Sequence, residues 1–245
     1  MTIDLDRKAG AMAVRIEDRG HVRIVTLDRP ERRNAVDGPM ADRIAEVFAA
    51  FERDGRARVA VLTGAGGTFC AGNDLKAIAA GEFPVPTRQA PPMRVTRAAP
   101  AKPVIAAIEG PCFGGGLELA LWCDLRVASA TAEFGLLNLV HGLPSMDAGT
   151  VRLPRLIGHA RALEMIVTAR RVPAAEAMGW GLLNRLVEPG RALDEALRLA
   201  EAVAALPQEP MLASRRSALQ QWGRPEAEAF GREVELALAA LGNPG

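Results

Sequence analysis

The chain has 245 residues, 49% of them hydrophobic, which is enough to bury a sizeable core in one large domain or in a domain with an appendage. A formal net charge of +1, with acids and bases interleaved, argues against a dedicated nucleic-acid surface, and no apolar run approaches the ~18–20 residues of a membrane span. Met1 to Gly20 holds no apolar segment of the signal-peptide kind, and Cys70, Cys112 and Cys123 lack metal spacing, so the cysteines read as reduced thiols of a cytoplasmic protein and a zinc site is not expected.

Residues 1 to about 12 read as a loose tail. Val14 to Ile16 and Val22 to Leu27 are β-branched runs around Asp18-Arg19-Gly20, a hairpin pattern. A charged loop, Asp28 to Asn34, precedes Asp37-Gly38-Pro39, which starts a helix with Ile44, Val47, Phe48 and Phe51 on one face. Val59 to Leu62 is a short apolar strand ending in Gly64-Ala65-Gly66-Gly67, and a short helix is expected after Lys76. The Pro-rich stretch 81–103 excludes regular structure and is of the kind that lies over a site. Val104 to Ile108 is a second apolar strand; Leu125 to Ala128, Glu133 to Gly135 and Leu186-Val187 are shorter ones. Helices are expected near Asp147 to Leu156, from His159 to Thr168, from Val172 to Gly179, and from Ala192 onward with breaks at Pro207 to Pro210 and Gly223 to Pro225.

The stretch Gly114-Gly115-Gly116-Leu117-Glu118-Leu119 opens a helix after an apolar strand. Bare glycine backbone and unpaired helix-start N–H groups favour negative charge, and Glu118 falls in the first turn. Donors for an oxyanion beside a carboxylate base suit chemistry at a carbonyl; the same stretch also reads as a packing turn with a dipole-stabilising glutamate. Val59–Leu62 and Val104–Ile108 echo each other, since each leads through glycines into a helix. If the two strands are parallel neighbours, both turns fall on one sheet edge and each can aim an N–H at a single oxygen. Other motifs fail. Phe69 stands where a dinucleotide fingerprint needs its third glycine, no lysine and hydroxyl follow as in a P-loop, and no Gly-x-Ser-x-Gly accompanies His21, His141 or His159.

Asp28-Arg29-Pro30-Glu31-Arg32-Arg33-Asn34-Ala35, Phe69-Cys70-Ala71-Gly72-Asn73-Asp74-Leu75, and Gly114 to Ala120 with Cys123-Asp124, in this order, resemble the crotonase (enoyl-CoA hydratase/isomerase) superfamily from about residue 14 to about 190. The resemblance implies an α/β spiral of repeated ββα units over 13–190, with a helical C-terminal oligomerisation region over 191–245. It implies a homotrimer or dimer of trimers acting on acyl-CoA, with coenzyme A as part of the substrate, no separate cofactor and no metal. Carried over residue by residue, the family's oxyanion-hole N–H groups fall on Asn73 and Gly115, its first catalytic glutamate on Glu118, and its adenine contact on the Ala71 carbonyl. Arg29, Arg33 and Lys76 are candidates for the nucleotide phosphates, and each also reads as a solvated surface charge.

The sequence departs from the hydratase pattern where a second glutamate is expected, because Asn138 stands there and an amide cannot exchange a proton at neutral pH. Asp147 is the nearest replacement acid, near where some superfamily members place one, including a diketone-cleaving hydrolase; it reads equally as a helix N-cap. The resemblance also implies a C-terminal aromatic and basic pair beyond the point where this sequence ends, so either a more open CoA site or a different packing of the last helix is expected. Three readings follow: an enoyl-CoA hydratase or dehydratase using Glu118 and Asp147 in fatty-acid-type metabolism, an isomerase or C–C hydrolase of the same superfamily, or a catalytically silent CoA binder. The pKa of Glu118 is pulled down by the helix terminus and up by a dry pocket, and the sequence leaves that balance open.

Overall fold

β1 (Val14–Arg19) and β2 (Val22–Leu27) form the expected antiparallel hairpin, and β2 then pairs in parallel with β3 (Val59–Gly64). The computed structural model describes residues 13–83, 86, 87 and 89–242; the tail expected over 1–12 and Pro84 of the Pro-rich stretch lie outside them. β3 lies parallel to β4 (Val104–Ile108), so the first glycine turn leaves this sheet directly, while Pro111–Phe113 stands between β4 and the turn at Gly114. β6 (Leu125–Ser129) and β9 (Arg185–Val187) complete a six-stranded sheet of order β1-β2-β3-β4-β6-β9. A second sheet takes β5 (Pro111–Phe113), β7 (Glu133–Gly135) and β8 (Val172–Pro173). Successive units thus give one strand to the large sheet and the next to the small one, β4 then β5, β6 then β7, which is the spiral of ββα repeats.

Each helix follows from its pattern. Asp37 caps α1 (Gly38–Arg53) by accepting the Met40 N–H at 2.9 Å, and the buried face is Ile44, Val47, Phe48 and Phe51. Truncating Phe51, which is fully buried, to alanine is expected to cost about 3–5 kcal/mol. α2 (Leu75–Ala79) is capped by Asp74. α3 (Gly115–Trp122) is buried at all eight positions, so it shows no amphipathic stripe and Glu118 is its one charged residue. Gly114 before it takes φ +52°, which favours glycine, and a Cβ on Gly116 would stand 2.2 Å from the Cys70 carbonyl oxygen. α4 (Gly149–Ile157), α5 (His159–Thr168) and α6 (Ala174–Gly179) follow, then α7 (Ala192–Ala205).

The described structure adds two strands to the sequence expectations and shifts several boundaries; Val172 and Pro173, expected to start a helix, form β8, and α6 starts at Ala174. β5 and β8 are strands of three and two residues, too short to show a period of two. α4 starts at Gly149 behind Ala148 in the left-handed region, so Asp147 is not its N-cap. α8 (Gln208–Gln220) includes Pro210, tolerated in the first turn because that N–H has no intrahelical partner.

The chain divides into two compact units, residues 1–200 and 201–245. The first holds both sheets and one continuous core that includes Phe51, Phe69, Phe134 and Leu117. The second, taken by itself, is the end of α7 with α8 and α9 (Glu226–Ala240), the last two packed on each other. α9 leaves Phe230 and Val234 exposed, as is Leu241 just after it. Among the described residues, no helix is long and apolar enough to cross a membrane.

Candidate active site

The loops after β2 and β3 are stitched together by Asn34. Its Oδ1 accepts the Arg29 N–H at 2.8 Å, and its Nδ2 donates to the carbonyls of Ala65 and Thr68 at 2.9 and 2.6 Å. Cys70 then pairs with Cys112 as an isolated bridge at the edge of the small sheet, with Phe113 N–H donating to Cys70 O at 3.0 Å. This lays the Ala71–Asn73 segment against the turn Gly114–Gly116: a Cβ on Gly72 would stand 3.2 Å from the Gly115 nitrogen.

Two backbone donors result. Val36 N–H donates to Gly72 O and Asp74 N–H donates to Val36 O, both at 2.8 Å, so this parallel bridge uses the neighbours of Asn73 and turns its own N–H to the opposite side. Gly115 is the first residue of α3, where an N–H has no intrahelical partner. Among the described residues, neither N–H donates to a backbone carbonyl, and both residues line one cavity of about 610 Å³. That volume lies within the range of small-molecule sites, roughly 300–1,000 Å³.

The cavity wall is drawn from four places in the chain: Arg32 to Ala35, Ala71 to Ile78, Phe113 to Glu118, and Leu137 to Met146. Phe83, Pro86 and Pro92 of the Pro-rich stretch also line it, as do His141 and Arg171. The Arg171 guanidinium lies 5.0 Å from the centre of the Phe113 ring. Of the expected residues, Glu118, Asn73, Gly115, Ala71, Arg33, Lys76 and Asn138 are brought together there. Arg29 is not. Its guanidinium is committed to Asp74 at 3.2 Å, Asp37 at 3.1 Å and the Ala35 carbonyl at 2.6 Å, which makes it a brace for the loop. Arg32, the last residue of the short helix Pro30–Arg32 that Arg29 precedes, takes its place at the wall.

Glu118 is 2% exposed. Its Oε1 accepts two backbone N–H groups, from Asp147 at 3.0 Å and Gly149 at 2.8 Å. Ala148 between them has φ +68°, and this left-handed step turns both N–H groups toward one oxygen. Gly149 packs directly on the carboxylate, since a Cβ there would stand 2.8 Å from Oε1. Oε2 takes no hydrogen bond among the described residues. Burial pushes the Glu118 carboxyl up, the nearby Asp147 carboxylate adds to this, and the two N–H groups and Arg152 oppose it; the result is about 7. The dry pocket outweighs the helix terminus.

Asp147 is 1% exposed and is not among the residues that line the cavity. Its Oδ1 accepts the Met93 N–H at 3.0 Å and the Thr96 hydroxyl at 2.5 Å, tying the Pro-rich loop to the 147–149 turn. Burial raises its pKa, with the Thr96 and Met93 hydrogen bonds opposing. Thr96 was not foreseen, because nothing local in the sequence marks a partner 51 residues away. Among the described residues, no group of three or more His, Cys, Asp or Glu side chains is placed to hold a metal ion.

Known proteins share this architecture. The family described as enoyl-CoA hydratase/isomerase matches residues 17–238. A mevalonyl-coenzyme A hydratase of Beauveria bassiana is 36% identical over 90% of this chain and 83% of its own. A carnitinyl-CoA dehydratase of Proteus mirabilis is 41% identical over 79% and 75%. The crystal structure of an enoyl-CoA hydratase from Mycobacterium tuberculosis superposes with a TM-score of 0.90 at 37% identity, covering 94% of this chain and 90% of that one. Because the match runs through both glycine turns and the helix that carries Glu118, the chain belongs to the enoyl-CoA hydratase/isomerase family of the crotonase superfamily.

Proposed function

We propose that the protein is an acyl-CoA hydratase or dehydratase that adds water across, or removes it to form, the double bond of a 2-enoyl thioester. The observation that carries this reading is Glu118. It is a buried carboxyl with one oxygen clamped by two N–H groups, raised to about 7, at the wall of a cavity it shares with Asn73 and Gly115. A group that titrates near neutrality can both take and return a proton at working pH. The Asn73 and Gly115 N–H groups polarise the thioester carbonyl and hold the oxyanion of the enolate. Losing one such donor costs ~2.7–4 kcal/mol. The role of Asn73 is carried by its backbone, so Asn73→Ala is mild.

Conjugation makes the β-carbon electrophilic once the carbonyl is polarised, and the Glu118 carboxylate takes a proton from the attacking water. Arg33 and Lys76, joined by Arg32, supply positive charge for the phosphates of coenzyme A, which enters as part of the substrate, and Ala71 meets its adenine. Asp147 acts through Glu118: its N–H holds the carboxylate, and its own charge keeps the Glu118 pKa high. The exposed Phe230 and Val234 of α9, with Leu241 just after it, support assembly into a trimer or a dimer of trimers.

The test is mass spectrometry of trans-2-enoyl-CoA thioesters of four to ten carbons incubated with the protein in heavy water. Gain of water by a thioester, lost in Glu118→Gln, is the expected result; full turnover by Glu118→Gln would overturn the assignment. One observation favours a second reading. Glu118 is the one carboxylate at the catalytic part of the wall, the other lining carboxylate being Asp74 beside Arg29. A single acid–base group suffices to move a double bond, and deuterium at the α or γ carbon without added water identifies such an isomerase.

A further inference from the structure

Asn138 sits in the short helix Leu137–His141 after β7 and lines the cavity. Its Nδ2 donates to the Leu143 carbonyl at 2.9 Å and reaches Ser145 Oγ at 3.4 Å. A carbonyl oxygen only accepts, so the atom facing Leu143 has to be the amide nitrogen, and the orientation of the side chain is fixed by chemistry. Oδ1 therefore faces away from Leu143. It is buried and receives no hydrogen bond among the described residues. It also stands beside the turn that opens the Glu118 helix, since a Cβ on Gly114 would be 3.8 Å from it. A buried acceptor in a cavity wall calls for a donor from the cavity's contents. Glu118 Oε2 is another acceptor on the same wall without a donor among the described residues.

We infer that Asn138 Oδ1 and Glu118 Oε2 together hold the attacking water in hydration, that Asn138 Oδ1 accepts from the β-hydroxyl of the acyl chain in dehydration, and that Glu118 alone performs both proton transfers. This rests on the hydratase reading above and adds to it the role of Asn138 and the number of bases. A water that donates one hydrogen to each acceptor presents its lone pair to the β-carbon. The new C–O bond forms as the double bond's electron pair moves to the thioester oxygen, and Glu118 Oε2 takes the hydrogen it holds. The enolate pair then collapses onto the α-carbon, which receives that same proton from Glu118. Asn138 keeps its hydrogen bond throughout and exchanges nothing. Glu118 is ionised at the start and at the end, so hydration and dehydration both require its ionised form. A pair of carboxyl groups, one ionised and one protonated, would instead give a bell-shaped pH profile.

The experiment measures kcat/KM against pH in both directions, using the enoyl-CoA of the four-to-ten-carbon panel that turns over fastest and its 3-hydroxyacyl-CoA. A single rising limb near pH 7, shared by both directions, is expected of the wild-type protein. Asn138→Ala is expected to lower kcat about 100-fold, with KM within about 3-fold and the limb unmoved. A bell with a second carboxyl limb, or Asn138→Ala turning over at the wild-type rate, overturns the inference while the hydratase reading stands. Should the wild-type protein hydrate no member of the panel, that reading falls and this inference with it. The wild-type profile decides the single-base step even if the variant does not fold.

Discussion

Asp74 and Glu118 line the same cavity, each beside the start of a helix and each accepting two backbone N–H groups, yet their pKa values move in opposite directions. Burial pushes Asp74 up, but the N–H groups of Lys76 and Ala77 and the Arg29 guanidinium at 3.2 Å more than offset it, leaving it below the usual carboxylate range. At Glu118 burial is deeper and the neighbour is Asp147, an anion, so the same two N–H groups cannot restore the ordinary value. A buried carboxylate whose charge is answered by a cation serves as a brace. One that no cation among the described residues contacts is poised to trade a proton.

Removing the Glu118 charge breaks this contrast most severely. Glu118→Gln is expected to lower turnover by about 100- to 10,000-fold, while making the protein more resistant to unfolding at alkaline pH. The folded pKa of Glu118 lies above its unfolded value, so the native state holds the proton more tightly. The resulting stability is full below about pH 4 and is lost as pH rises to about 7. The difference is roughly 3 kcal/mol, taking 1.36 kcal/mol per unit. Melting curves of both proteins from pH 4 to pH 8 check it. The glutamine variant should gain on the wild type as pH rises, and a constant gap would remove Glu118's raised pKa from the account.

Next in size is Gly149→Ala. The added methyl would meet Glu118 Oε1 at 2.8 Å and its Cδ at 3.1 Å, so the carboxylate has to shift in the cavity. A displacement on the order of 1 Å costs about 100-fold in rate. Steady-state kinetics should show kcat falling with little change in KM. Asp74→Asn is the matching change at the braced carboxylate. It removes one of the two carboxylates that hold Arg29 and weakens the cap of α2, for about 1–2 kcal/mol of stability. Turnover should stay within a few-fold. Because the Asp74 pKa is lowered on folding, its contribution is present above the unfolded value and is lost as pH falls below about 4, the reverse of Glu118.

The frame of this site was legible in the sequence because its carriers are local. The glycines after two apolar strands pointed to the parallel pairing that β3 and β4 show, and the stretch Gly114 to Leu119 was legible as the opening of a helix. The tuning of the site was not legible, because it depends on contacts between distant segments. Asp147 reads as a helix cap from its neighbours alone, yet its carboxylate is spent on Met93 and Thr96, and only the folded loop reveals this. Arg29 and Arg32 differ in role for a similar reason. The short helix Pro30–Arg32 sends one to Asp37 and Asp74 and leaves the other at the cavity wall.

The smallest expected effect is also the one that separates tuning from chemistry. In Asp147→Asn the backbone N–H to Glu118 is unchanged, and the amide oxygen can still accept from Thr96 and the Met93 N–H. What disappears is the negative charge beside Glu118. If Asp147 acts only through Glu118, the rising limb of the pH–rate profile moves below pH 7, and the limiting rate at high pH stays within a few-fold of wild type. If Asp147 itself delivers a proton to the substrate, the limiting rate falls by 100-fold or more wherever Glu118 is ionised. Measuring kcat/KM at half-unit steps from pH 5 to pH 9 separates the two. A shifted limb with a preserved plateau makes the pair a base and its tuner, in the same sense that Asp74 and Arg29 are a brace and its counter-charge.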